Sequence, residues 1–224
     1  MTATRNAMRT ARLRQGFVSA LILIIALIGY GMVRYPLIVS EAGVSSIFLP
    51  VFMLLLYGVA AVWFTHRPGQ AHVAALRTGT AYGLVVGVTF IITISVENFV
   101  DIIGQVGTIS TLGFMLLIFL LFALAGRRGG KDSGQLRWGI FASVWSAMIG
   151  VLIALLFGFA INFLFAPRLE QNLQASPEYV RSGSHDLATF TFWNTLESAS
   201  SHLLEAPVIA AIFGSLGSLI GLAT

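Results

Sequence analysis

Trp138–Ala166 reads WGIFASVWSAMIGVLIALLFGFAINFLFA, and it contains no Lys, Arg, Asp, Glu or His. About 20 predominantly apolar residues, rising 1.5 Å each, cross the hydrocarbon core of a bilayer. This run exceeds that length, which predicts a tilted span or one that continues past the membrane surface. The rest of the chain has the same character. Hydrophobic residues make up 57% and charged residues 10% of the sequence, and the mean hydropathy is +0.88. A soluble domain carries roughly 25% charged residues. So few charges cannot give 224 residues a water-compatible surface, so the bilayer is part of the solvent.

Five further stretches have the required length and composition. The predicted spans are Gly16–Val33, Ser46–Phe64, Thr78–Val100, Thr108–Gly126, Trp138–Ala166 and Leu203–Leu222. The expected fold is all-α: a polytopic integral membrane protein with six transmembrane helices. A basic segment over residues 1–15 precedes a single transmembrane domain over residues 16–224, with an extracytoplasmic loop over residues 167–202.

Orientation follows from where the charges fall. Arg5, Arg9, Arg12 and Arg14 precede the first span, Arg67 and Arg77 link the second and third, and Arg127, Arg128, Lys131 and Arg137 link the fourth and fifth. The other side holds only Arg34, Arg168 and Arg181 among its cations, with every acid except Asp132. The positive-inside rule then places both termini in the cytoplasm. The expected location is the bacterial plasma membrane. An organellar membrane is the alternative, because residues 1–15 also have the Arg-rich, acid-free composition of a mitochondrial transit peptide. The apolar run that follows directly, without a cleavage signal, favours a signal anchor. Its arginines at positions 5, 9, 12 and 14 are placed to meet anionic lipid headgroups. A sequence pI near 10.0 is thus accounted for by orientation, and no nucleic-acid partner is expected.

Two stretches resemble each other. Met53-Leu54-Leu55 matches Met115-Leu116-Leu117, Leu76-Arg77-Thr78-Gly79 matches Leu136-Arg137-Trp138-Gly139, and Asn98-Phe99 matches Asn162-Phe163. This suggests a parallel repeat of two helical hairpins, an arrangement that in transporters places sites between the copies. Convergence of a small apolar alphabet is the competing explanation. Small residues recur at four-residue spacing, at Gly79, Gly83 and Gly87 and at Gly139, Ser143 and Ala147, with Gly214 in a similar row near the C-terminus. Such rows let helix backbones approach closely. They predict that the third and fifth spans meet, and equally suit a homo-oligomer or a docked membrane partner.

No ionisable residue lies near the middle of a span, which argues against a proton path or voltage sensor. The polar groups gather at the extracytoplasmic ends. Glu97, Asn98 and Asp101 end the third span, Asn162 lies near the end of the fifth, and Glu205 leads into the sixth. These five are the candidate substrate-binding residues. His202 and Glu205, three apart on one helical face, are the candidate metal pair. Solvated helix-end acids are the plain alternative. In the preceding loop, Pro167–Ala175 and the Ser176-Pro177-Glu178 start predict short helices. The aromatic run from Asp186 predicts a segment lying flat on the outer surface until Pro207 admits the last span.

There are no cysteines, which excludes a disulfide framework, a thiolate metal site and a Cys nucleophile. No HExxH, GxSxG, Walker A or GxGxxG pattern occurs, so neither a catalytic residue nor a cofactor is expected. The first functional expectation is a small transport component with a solute site near the outer face. Its architecture is similar to that of substrate-capturing subunits of vitamin transporters, without a shared motif. The alternative is a non-catalytic accessory, assembly or sensory subunit docking through its small-residue faces. A membrane metalloenzyme built on His202 and Glu205 is the third.

Overall fold

The computed structural model describes residues 2–66, 69–100 and 105–224. Asp101 and Arg67 lie outside the described residues, as do the side chains of Arg5 and Arg9. The described residues form helices and no strand. They are α1 (Thr2–Arg34), α2 (Ile38–Ala42), α3 (Ser45–His66), α4 (Gln70–Phe99), α5 (Gln105–Ser133), α6 (Leu136–Leu164), α7 (Ala166–Leu173), α8 (Pro177–Ser182) and α9 (Leu187–Ala223). Six of these, α1, α3, α4, α5, α6 and α9, are long and apolar enough to cross a membrane. The chain is a multi-pass helical membrane protein.

Several helices run past their apolar windows. α1 continues back through the basic segment, α4 starts at Gln70, and α5 carries Arg127, Arg128 and Lys131 to Ser133. Hydropathy marks where lipid contact ends, but a helix of Arg, Ala and Lys continues into water at little cost. On α5 an i,i+4 pair, Arg128 Nε to Asp132 Oδ2 at 2.9 Å, supports the extension.

α6 is the central element. Its apolar window is 56% buried, against 28–33% in the other five. A helix that is hydrophobic all round belongs inside, and α4, α5, α9 and α1 surround it. The closest approaches are made where side chains are absent. A Cβ on Gly79 would lie 2.5 Å from the Ala142 carbonyl oxygen, one on Gly83 2.8 Å from Ile149 Cβ, and one on Gly87 2.6 Å from Ile153 Cδ1. On α9, a Cβ at Gly217 would strike the Ala123 carbonyl and one at Gly214 would strike Ser143 Cβ. Gly139 sits against Ser218 and the Gly126 carbonyl. Ser143 Oγ shares its proton between the carbonyls of Ala210 at 2.7 Å and Phe122 at 3.0 Å, tying α6 to α9 and α5.

α1 and α3 pair on the flank. Phe17 stacks on Trp145 of α6 with ring centroids 5.0 Å apart. α3 packs chiefly on α1 and α9 rather than on its hairpin partner α4, whereas α5 packs on α9 and also along its hairpin partner α6. The two hairpins matched in sequence are therefore packed differently.

α9 begins well before the last helix expected from the sequence. The run from Asp186 does not lie flat as a separate segment, and the helix does not begin at Leu203. Asp186 Oδ2 caps it, accepting from Thr189 N at 3.0 Å, and the helix passes through Pro207 to Ala223. At about 1.5 Å per residue it is roughly 55 Å long. Its aromatic residues are core rather than interface. Phe192 is fully buried against Tyr35, Phe159 and Phe163, and Phe190 is buried beside Tyr179. Between α6 and α9, α7 starts at Ala166, and Ser176 Oγ caps α8 by accepting from Tyr179 N at 3.1 Å.

Charges segregate to the two ends of the bundle. Exposed Arg12, Arg14, Arg77, Arg127, Arg128, Lys131 and Arg137 occupy one end. Glu41, Glu97, Glu170, Glu178, Asp186 and Glu197 occupy the other, where Ser184 Oγ donates to Glu41 and joins α2 to the lead of α9.

Candidate functional site

At the acidic end, α4, α5, α6 and α9 diverge and α7 lies across the gap, enclosing a cavity of about 590 Å³. That is within the usual range for a small-molecule site. Each helix contributes one stripe at three- to four-residue spacing. α4 supplies Phe90, Thr93 and Glu97. α5 supplies Thr111, Phe114 and Ile118. α6 supplies Leu155, Gly158 and Phe159. α9 supplies Thr191, Asn194, Thr195, Ser198 and His202, and α7 closes over them with Leu169 and Asn172.

The walls mix apolar and polar side chains. Phe90, Phe114 and Phe159 give three aromatic surfaces, and α4, α5, α7 and α9 add hydroxyls and amides. Glu97 is the only charged lining residue among those described, and it accepts from Thr111 Oγ1 at 3.2 Å. His202 Nδ1 lies 2.7 Å from the Ser198 carbonyl oxygen. A carbonyl can only accept, so Nδ1 carries a proton and donates to it. The ring meets Phe90 edge-on at 5.6 Å.

The end of α4 is held by α7. The Asn98 carbonyl oxygen accepts from Arg168 Nε at 3.2 Å and from Asn172 Nδ2 at 3.0 Å. Pro at the second position of α7 lacks an N–H that would have no partner in the first turn. Behind the wall, Asn162 is 1% exposed. Its Nδ2 donates to Thr195 Oγ1 at 2.9 Å, and Thr195 Oγ1 passes its own proton to the Thr191 carbonyl at 3.0 Å. Asn162 Oδ1 is buried without a protein donor.

Of the residues singled out in the sequence, Glu97, Asn98 and His202 line this one cavity, and Asn162 stands one hydrogen bond behind it. Glu205 does not line it. It is exposed on α9, a turn beyond His202. Asp101 lies outside the described residues. The two members of the expected metal pair are placed differently. Only His202 faces the cavity, and among the described residues no group of three His, Cys, Asp or Glu side chains comes together. A zinc site takes at least three protein ligands.

Thr111, Asn172 and Asn194 are lining residues that sequence reading missed. A signal for the α9 set existed: Thr191, Thr195, Ser198 and His202 form a polar stripe at helical spacing. None existed for Thr111 or Asn172, whose role depends on α5 and α7 meeting α4.

Compared with known proteins, the chain matches no family model, no curated protein and no solved structure.

Proposed function

We propose that this protein is a small transport component that captures an amphiphilic solute bearing N–H donors from the extracytoplasmic side. The observation that carries this reading is the composition of the cavity. Three phenylalanines share the lining with one charged residue among those described, Glu97. A carboxylate beside aromatic faces suits a cationic or strongly donating group on an apolar body.

The end-to-end charge segregation supports an orientation with both termini in the cytoplasm and the cavity outside. A bacterial plasma membrane is the location in keeping with that orientation. The chain has no native cysteine, so single cysteines at Ser184 and Ser133 can be labelled in intact cells. Labelling of Ser184→Cys alone by an impermeant maleimide is expected, and the reverse would invert the proposal.

Solute capture is favoured over an accessory subunit docking through small-residue faces. Gly79, Gly83, Gly87, Gly139, Ser143, Ala147 and Gly214 are buried between helices of this chain, so these residues are not free to meet a partner. The test is calorimetry on the full-length chain in nanodiscs, with phenylethylamine and phenylacetate as matched probes. Binding of the amine alone, lost in Glu97→Gln, is expected. Equal binding of both probes, or amine binding that survives Glu97→Gln, would reject the reading.

A further inference from the structure

A second concavity lies on the flank of the bundle, between α1 and α3, and holds about 730 Å³. Leu21 and Ile25 of α1 face Leu55, Gly58 and Val62 of α3, so its walls are hydrocarbon. At Gly58 a Cβ would meet only Leu21 Cδ1, at 3.4 Å, which leaves the groove open at its centre. A water-soluble ligand gains little from such walls, whereas an alkyl chain matches them.

The two helices place a cation and an imidazole at the same end of this groove. On α1 the groove stripe through Val18, Leu21 and Ile25 extends one turn back to Arg14. On α3 the stripe through Leu55, Gly58 and Val62 ends on His66, itself a wall residue. α1 and α3 run antiparallel, so Arg14 and His66 flank one mouth, and both are exposed. Trp63, 75% exposed, stands beside them, as aromatic residues do at a headgroup boundary.

We propose that the α1–α3 groove is a binding site for one anionic phospholipid. An acyl chain lies along Leu21, Ile25, Leu55 and Val62, and the phosphate rests between the Arg14 guanidinium and the His66 imidazole. Charge complementarity at the mouth selects an anionic headgroup over a zwitterionic one. The site is independent of the solute cavity, which lies at the other end of the bundle.

The test is native mass spectrometry of the full-length chain with palmitoyl-oleoyl phosphatidylglycerol, the matching phosphatidylcholine, and glycerol 3-phosphate. One phosphatidylglycerol is expected to be retained in preference to phosphatidylcholine. Arg14→Gln should weaken phosphatidylglycerol by about five-fold and leave phosphatidylcholine unchanged, while Arg128→Gln, at the same end on α5, should change neither. Gly58→Leu, which fills the groove, should reduce retention of both lipids, and Val62→Trp serves the same purpose should the first variant fail to fold. A phosphatidylglycerol preference that survives Arg14→Gln, retention unaffected by filling the groove, or competition by glycerol 3-phosphate would each overturn the proposal.

Discussion

The Tyr57 hydroxyl donates to the Leu203 carbonyl oxygen across 2.9 Å inside the bundle, and Leu203 lies four residues before Pro207. Proline has no N–H to return to the fourth residue before it. The carbonyl left without its helical donor is therefore the one that Tyr57 reaches. A freed carbonyl at membrane depth has no water to turn to, so a side chain from α3 completes the ladder of α9. Tyr57→Phe should cost about 1–2 kcal/mol. In a Pro207→Ala background, where the backbone supplies the donor, the same substitution should cost almost nothing. Thermal unfolding of the four proteins of this cycle in one detergent checks it, and equal costs in both backgrounds would reject the coupling.

Helix proximity around α6 and α9 depends on missing side chains. A methyl group at Gly217 runs into the Ala123 carbonyl, and backbone cannot swing away as a side-chain end can. Gly217→Ala should therefore destabilise by about 1–3 kcal/mol, as overpacking does. Gly113 has nothing within 4 Å of its Cβ position. Gly113→Ala should be neutral, or stabilising by about 0.5–1 kcal/mol through helix propensity. Melting temperatures of the two variants moving in the same direction would contradict this.

The opposite fates of these two glycines show what was legible in the sequence. The spans were readable because lipid demands a long apolar window wherever a helix crosses. The row at Gly79, Gly83 and Gly87 pointed to close packing, yet Gly113 looks no different in sequence from Gly217. The first half of α9 was misread for a related reason. Thr189, Thr191, Asn194 and Thr195 lower its hydropathy, because that stretch caps the helix, lines the cavity and bonds to Asn162. Mixed with Phe190 and Phe192, they resemble an interfacial segment. Pro207 resembled a helix start because Tyr57, its compensation, lies 150 residues away in sequence. Glu97, Asn98 and His202 were visible as rare polar groups at helix ends. Thr111 and Asn172 were not, since threonines and asparagines are common near helix ends.

The start of α9 rests on a single carboxylate. Asp186 Oδ2 accepts from both Thr189 N at 3.0 Å and Thr189 Oγ1 at 2.5 Å. Asp186→Ala should cost about 1 kcal/mol and speed amide hydrogen exchange in the first turn of α9. Exchange around Gly214, held in the bundle interior, should be unchanged. Asp186→Asn, which keeps an accepting oxygen, should retain most of the cap. Uniform acceleration along the whole of α9 would mean that the carboxylate does more than cap.

Gly158 offers a way to close the cavity without disturbing the fold. It lines the cavity from α6, and nothing lies within 4 Å of where its Cβ would be. A large side chain there has room to grow into the space a solute would occupy, unlike one at Gly79 or Gly217. Gly158→Phe should melt within a few degrees of the parent, yet lose binding of the aryl amine by about ten-fold or more. Leu155→Ala, on the same wall, should act oppositely. Enlarging the cavity while removing buried side-chain volume should lower stability by about 2–5 kcal/mol and admit a bulkier amine. The two variants separate a cavity that holds solute from a gap left by imperfect packing. If Gly158→Phe instead raised the melting temperature and left amine binding intact, the space would be a packing void and the site would have to be sought elsewhere.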